Sequence, residues 1–159
     1  MNIFYVDGAP REAAQALCDK HISKMVVETA QLLSAAHHLT DSPQRSQCYK
    51  LTHQNHPCSV WVRASNIHYD WTYVLFRELA AEFAWRRAKI HETYNKLSHV
   101  LCHTPQLPSA GWVDPPQCMP DQFKGDDAVE AYRRYYHSKD FATWTWGRQP
   151  PYWWQRVVV

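Results

Sequence analysis

The sequence predicts an all-α chain, and three observations carry that reading. Two segments, roughly 19–38 and 66–91, repeat apolar residues at helical spacing. Glycine is scarce, 4 in 159 residues, too few for the tight turns of a sheet-rich fold or for a glycine-rich phosphate loop. The balance of 45% hydrophobic and 20% charged residues at this length is that of one globular domain spanning 1–159 with a real core.

The elements follow in order. Residues 2–6 (NIFYV) read as a short extended lead-in, and Asp7 as the cap of a helix with Pro10 in its first turn. On 19–38 the stripe is Ile22, Met25, Val26, Thr29, Leu32, Leu33 and Ala36. Its flank of Ser23, Ala30 and Ser34 carries only small side chains, so a second helix can approach closely and this helix is predicted to be central. Residues 40–56 read as loop with a short helix, and Pro57 opens another short helix, PCSVWVRA. Ser65 is the expected cap of the longest helix, 66–91, with a stripe of Ile67, Trp71, Val74, Leu75, Leu79, Phe83, Arg86 and Ile90. Five prolines between 104 and 125 make that stretch an ordered arm. Asp126 or Asp127 caps a helix through AVEAYRRYY, and the aromatic tail, 144–159, is expected to pack back onto the domain.

Charge and cysteine content narrow the function. With 17 basic against 15 acidic residues, the chain does not hold polyanions by bulk charge, though a local basic groove is compatible with it. Five cysteines without a CxxC, in a chain with no basic-then-apolar leader, read as reduced thiols of a cytoplasmic protein. No apolar run approaches the roughly 18 residues of a membrane span. Eight Trp and nine Tyr exceed what such a core needs, so part of this aromatic surface is expected to touch a ligand. GxSxG, Walker A, HExxH and EF-hand patterns are absent.

Three constellations carry chemistry. On the central helix His21, Lys24, Glu28 and Gln31 share one face at spacings of 3, 4 and 3. This is either a solvated stripe with an ordinary surface ion pair or the polar wall of a cleft, where carboxylate, amine and imidazole do acid–base or nucleophilic work. The stretch HQNHPCSVWVRASNIHYDW offers His53, His56 and Cys58, with Cys18 and His21 further off. Its HxxHxC spacing is not a standard zinc pattern, so the sequence predicts no metal and no cofactor. Arg63, Asn66, Tyr69 and Arg86 lie among apolar residues nearby and suit a phosphate-plus-base ligand. Near the C-terminus Tyr132, Arg133, Tyr136, Trp144, Trp146, Arg148 and Trp153 form either a stacking wall or a hydrophobic closure of the domain.

The opening MNIFYVDGAPREAAQALCDKHISKMVVETAQLL, then HPCSVWVRASNIHYDW and AYRRYY, resembles a family of small phage-encoded proteins of unassigned activity. More distantly, the NIFYV opening, the Pro57 turn before the long basic helix, MPDQFKGD and the aromatic ending are similar to the phage pyrimidine-dimer DNA glycosylases of the endonuclease V type. That resemblance implies a compact all-α fold with a site where the N-terminus meets the central helix. It also implies attack on the sugar by the α-amine of a small residue exposed by Met removal, assisted by a glutamate. In this chain residue 2 is Asn, large enough to leave Met1 in place, and the available glutamate, Glu28, lies about one turn later. The leading expectation is glycosidic-bond cleavage on DNA or a nucleotide, with Glu28, Lys24 and His21 as the catalytic group. The ligand would be held by Gln31, Arg63, Asn66, Tyr69, Arg86, Arg133, Arg148 and Trp153. The alternative is a non-catalytic protein that sequesters a small cyclic or adenine nucleotide immune signal, and a third reading is an inhibitor acting through its aromatic surface. A homo-oligomer is compatible with all three.

Overall fold

The computed structural model describes residues 2–154. Its regular elements are all helical: α1 (Pro10–Ala16), α2 (Asp19–His38), α3 (Pro57–Ala64), α4 (Asn66–Arg87), α5 (Glu92–Leu101) and α6 (Ala128–His137). Three single 3-10 turns, Arg45–Gln47, Asp121–Phe123 and Tyr152–Trp154, lie in the connections. The last expected residues of the tail, 155–159, and the retention of Met1 fall outside the described part.

Helix α2 is central. Every residue of its apolar stripe is buried, and so are Ala30 and Ser34 on the small flank. It packs against α3, α4 and α5. Small side chains permit that crowding, and burying both flanks gives the largest return in apolar area. His37 near its C-terminal end joins three helices. Tyr69 on α4 donates its hydroxyl to the Leu101 carbonyl of α5, so its oxygen accepts from His37 Nε2 (2.8 Å), while His37 Nδ1 accepts from Ser42. Tyr69 is therefore a fully buried core residue.

The helix ends explain where the sequence reading shifts. Helix α1 has Ala9 as its N-cap, not Asp7, and Asp7 instead accepts the Ala9 N–H, two residues on, in the turn that leads into the helix. Ser65 stands at the N-cap of α4 but makes no capping bond, and its hydroxyl is buried without a partner among the described residues. Helix α4 stops at Arg87 because Ala88 adopts the left-handed conformation (φ 55°). Such C-terminal stops are usually marked by Gly. Here no Gly or Pro marks the end, and a helix drawn by periodicity runs on to 91. Ile90 is accordingly exposed, and so is Ile67 at the other end. His91 then caps α5 by accepting the Thr93 N–H, a helix the pattern alone did not indicate. Asp127 caps α6 through the Glu130 N–H, as one of the two candidate residues.

The proline-rich arm is ordered by polar and aromatic contacts. Trp61 stacks on His68 (4.2 Å between centroids), and Trp61 Nε1 donates to the Val113 carbonyl. His68 Nε2 accepts the Val113 N–H, which leaves Nδ1–H to donate to the Trp61 carbonyl. The aromatic tail closes the opposite end, with Trp154 stacked on His137 and Trp144 Nε1 donating to the Ala16 carbonyl.

One charged cluster lies inside this frame. The Arg86 guanidinium is wholly buried and bonds Glu82 (2.9 Å), Asp19 (3.2 Å) and the Gln15 carbonyl (3.0 Å). Arg148 of the tail clasps both oxygens of Glu82 (2.7 and 2.9 Å), and Asp19 accepts the backbone and side chain of Thr145. All the carboxylate charge is thus met in place. Removing one partner of a buried pair leaves uncompensated charge and typically costs about 3–5 kcal/mol. Arg86→Met should lower stability by that amount, seen as a lower urea midpoint with an unchanged slope. A loss under about 1 kcal/mol would mean that water reaches the cluster.

Candidate functional site

A cleft of about 400 Å³ opens where the N-terminal segment meets α2. The periodic stripe places His21, Lys24 and Glu28 on its wall together with Asn2, Phe4 and Lys20. From further along the chain come His56, Cys118, Tyr135, Lys139 and Phe141. Lys24 Nζ lies 3.7 Å from Glu28 Oε1. Lys24 is mostly exposed, whereas Glu28 is 17% exposed and, among the described residues, has no other polar partner. The carboxylate is therefore half-desolvated with acceptor capacity left for a ligand.

Three ammonium groups, Lys20, Lys24 and Lys139, line the cleft with this single carboxylate. Lys139 Nζ sits 3.9 Å above the Tyr135 ring, and Lys20 Nζ 4.5 Å above Phe141. The cleft therefore holds a local positive field in a chain whose net charge is only +2. Its apolar walls are Phe4, Tyr135 and Phe141. Phe4 holds a left-handed backbone (φ 55°), unusual for an aromatic residue, and that conformation puts its ring over His21 at 4.5 Å. Strain of this kind, costing on the order of 1 kcal/mol or more, collects at functional sites.

His21 is 3% exposed. Burial first, then the nearby Lys139, Lys24 and Lys20, lowers its pKa to about 3. The ring is neutral near pH 7, so it acts as a hydrogen-bonding group rather than an acid. The Tyr136 oxygen accepts the Cys18 N–H (2.8 Å), which frees its own hydrogen for His21 Nδ1 (2.9 Å). The remaining proton then sits on Nε2, where no described side chain takes it. Asn2 anchors the mouth of the cleft. Its amide donates to the Cys118 carbonyl (2.8 Å), and its oxygen accepts the N–H groups of Ile3 and Phe4.

The other expected ligand-binding residues are placed elsewhere. Tyr69 and Arg86 belong to the buried networks above. Arg63 is spent on the Gln54 carbonyl and Ser59, and Asn66 opens α4 against Pro108 and Ser109. Gln31 is half-buried one turn beyond Glu28 and does not line the cleft. Arg133 donates to the Val6 carbonyl and pairs with Asp7 and Glu130. Arg148 and Trp153 line a separate hollow of about 220 Å³ that shares no residue with the cleft. A larger hollow of about 550 Å³ between residues 40–44 and 102–106 brings together no carboxylate and amine pair. Chemistry, not volume, marks the cleft.

Sequence reasoning missed Phe4, Lys20, Cys118, Tyr135, Lys139 and Phe141, and weighed His56 only as a metal ligand. Lys20 and Phe4 neighbour identified residues in the chain, but the remainder reach the cleft only through the fold. His56 and Cys58 meet Cys118, with Sγ atoms 3.6 Å apart, while His53 stays exposed and bonds Thr52. The contact between the two thiols, in which either sulfur can donate, raises the Cys58 thiol together with burial and lowers the Cys118 thiol to about 7. Among the described residues no helix is long and apolar enough to cross a membrane.

The sequence profile described as pyrimidine dimer DNA glycosylase matches residues 1–96, more than half of the chain and the part that holds α1 to α4. This chain belongs to the pyrimidine dimer DNA glycosylase family. No curated protein and no solved structure matches it. The matched segment supplies Asn2, Phe4, Lys20, His21, Lys24, Glu28 and His56, while the remaining cleft residues lie beyond it. A glycosylase family implies interaction with DNA, and the positive, aromatic-walled cleft is chemically suited to that polymer.

Acid should unfold this glycosylase-family chain early. His21 titrates near 3 and His37, also lowered by burial, near 4, against about 6.5 in an unfolded chain. Between those values the unfolded state binds protons that the native state refuses, so stability falls as pH falls from about 6.5 to 4. Each histidine contributes up to about 1.4 kcal/mol per pH unit to that slope. Urea midpoints across this range should drop for the wild type and drop less steeply for His37→Gln, which offers a donor and an acceptor without titrating. Equal slopes would contradict the neutral assignment of His37.

Proposed function

We propose that this chain cleaves the N-glycosidic bond of a damaged pyrimidine nucleotide in DNA, with Glu28 at the reacting centre. The observation that carries the reading is one cleft holding a half-buried carboxylate, three ammonium groups and three aromatic rings in a chain of this family. As the C1′–N bond breaks, its electron pair leaves with the base and positive charge builds on the sugar. The Glu28 carboxylate stabilises that charge and takes a proton from the water that adds to C1′. Lys20, Lys24 and Lys139 hold the flanking phosphates. His21 donates its Nε2–H to the departing base, a neutral donor suited to a pyrimidine carbonyl. Phe4, Tyr135 and Phe141 receive the extruded nucleotide. Water serves as the nucleophile in this reading because the Glu28 carboxylate keeps acceptor capacity for its proton.

Duplex DNA carrying a pyrimidine dimer, compared with undamaged duplex and with free nucleotides, tests this. Glu28→Gln should bind damaged duplex within about twofold of the wild type and form alkali-labile abasic sites at least about 100-fold more slowly. Lys24→Met should weaken binding and reduce the slope of log K against log salt by about one. Borohydride should trap no covalent adduct. An adduct on Lys24 would replace the water route by an amine route, and unaltered abasic-site formation by Glu28→Gln would remove the site assignment. Tight binding of a free nucleotide with no base release would make the chain a nucleotide-binding protein.

A further inference from the structure

Two thiols and an imidazole converge beside the cleft without serving in the chemistry above. Pro57 starts α3, which fixes Cys58 in its first turn, and His56 is the N-cap. Cys118 arrives from the proline-rich arm, 60 residues later in the chain, and its backbone is held from both sides. Asn2 donates to the Cys118 carbonyl, and the Cys118 N–H donates to the Tyr132 hydroxyl (3.3 Å), which itself donates to Pro116. The Cys118 position is therefore set by the fold rather than by chance contact.

The resulting spacing is informative. One ligand atom from each of His56, Cys58 and Cys118 lies within 4.8 Å of the others, and the two sulfurs are 3.6 Å apart. Zinc–sulfur bonds of about 2.3 Å in a tetrahedron put two thiolates about 3.8 Å apart. A disulfide needs its sulfurs at about 2.0 Å. Thiolate and imidazole together select zinc-type ions over magnesium or calcium. We propose that His56, Cys58 and Cys118 form a three-ligand site for a thiophilic divalent ion, its fourth position opening into the cleft. Cys58 is wholly buried, whereas His56 and Cys118 line the cleft, so an ion held by the three meets solvent on that side. Three protein ligands with an open fourth position are the arrangement of reactive rather than purely structural zinc. His56 Nδ1 accepts the Cys58 N–H (3.1 Å), a bond that holds the imidazole beside Cys58. Loading forms two metal–thiolate bonds and releases the two thiol protons to solvent.

Reduced, chelator-treated protein titrated with cobalt(II) tests the site directly. The expected result is about one ion per chain, with thiolate charge-transfer absorption, the visible bands of a tetrahedral ion, and proton release. Zinc should displace the cobalt and abolish the bands. Cys118→Ser and Cys58→Ser should lose the charge-transfer bands, whereas Cys102→Ser, at an exposed thiol, should keep them. His56→Asn retains a good capping residue and should weaken binding by at least about tenfold. Circular dichroism of each variant confirms that the helices persist. Octahedral bands, substoichiometric binding by the folded wild type, or bands unchanged in Cys118→Ser would overturn the proposal. None of these readouts depends on DNA or on base release.

Discussion

A single buried guanidinium holds the molecule in register. Arg86 reaches from α4 to Asp19, the first residue of α2, and to the carbonyl of Gln15 in α1, while Glu82 links it to Arg148 of the tail. Three stretches of chain far apart in sequence, residues 15–19, 82–86 and 145–148, are joined through two carboxylates and the Gln15 carbonyl. The hydrophobic core supplies most of the folding free energy and buries the apolar stripe of α2, and the ion pairs add a constraint at its first residue. An unpaired buried charge costs several kcal/mol, so the cluster disfavours arrangements that separate its partners. His21 follows Asp19 by two residues, Lys24 by five and Glu28 by nine. Fixing the first residue of α2 fixes which face of the helix the cleft receives.

The cleft resolves a tension in the composition. A net charge of +2 argues against broad attraction to DNA, yet the family acts on DNA. Lys20, Lys24 and Lys139 concentrate cationic charge in one cleft, while three arginines elsewhere are spent in pairs: Arg133 with Asp7 and Glu130, Arg148 with Glu82, Arg86 with Glu82 and Asp19. The same three lysines help keep His21 neutral, which turns an imidazole into a fixed donor. Aromatic rings divide in a similar way. The tryptophans close the tail and clamp the proline arm, and the rings that face the cleft are two phenylalanines and a tyrosine.

The sequence was legible where one helix carried the information. The span 19–38, its buried stripe and the shared face of His21, Lys24 and Glu28 follow from a 3.6-residue period. Legibility ended at positions where a local rule was broken. Ala88 takes a left-handed conformation that a glycine would have announced, so the end of α4 and the whole of α5 lay hidden. Arg86 and Tyr69 sit in apolar surroundings, a pattern shared by ligand-binding and core-bridging groups. Only their partners, Asp19 and Glu82 in one case and His37 and Leu101 in the other, distinguish the two. Lys139, Tyr135, Phe141 and Cys118 reach the cleft through tertiary contacts that no spacing in the chain encodes.

In the proposed function, damaged DNA is bound with the sugar of the target nucleotide in the cleft beside Glu28. A crystal structure of the Glu28→Gln variant with duplex DNA containing a pyrimidine dimer measures this most directly. The predicted result places C1′ of the target nucleotide in contact with the substituted side chain, flanking phosphates on Lys20, Lys24 or Lys139, and the extruded nucleotide against Phe4, Tyr135 or Phe141. DNA seated on the hollow of Arg148 and Trp153, with the cleft filled only by solvent, would contradict it.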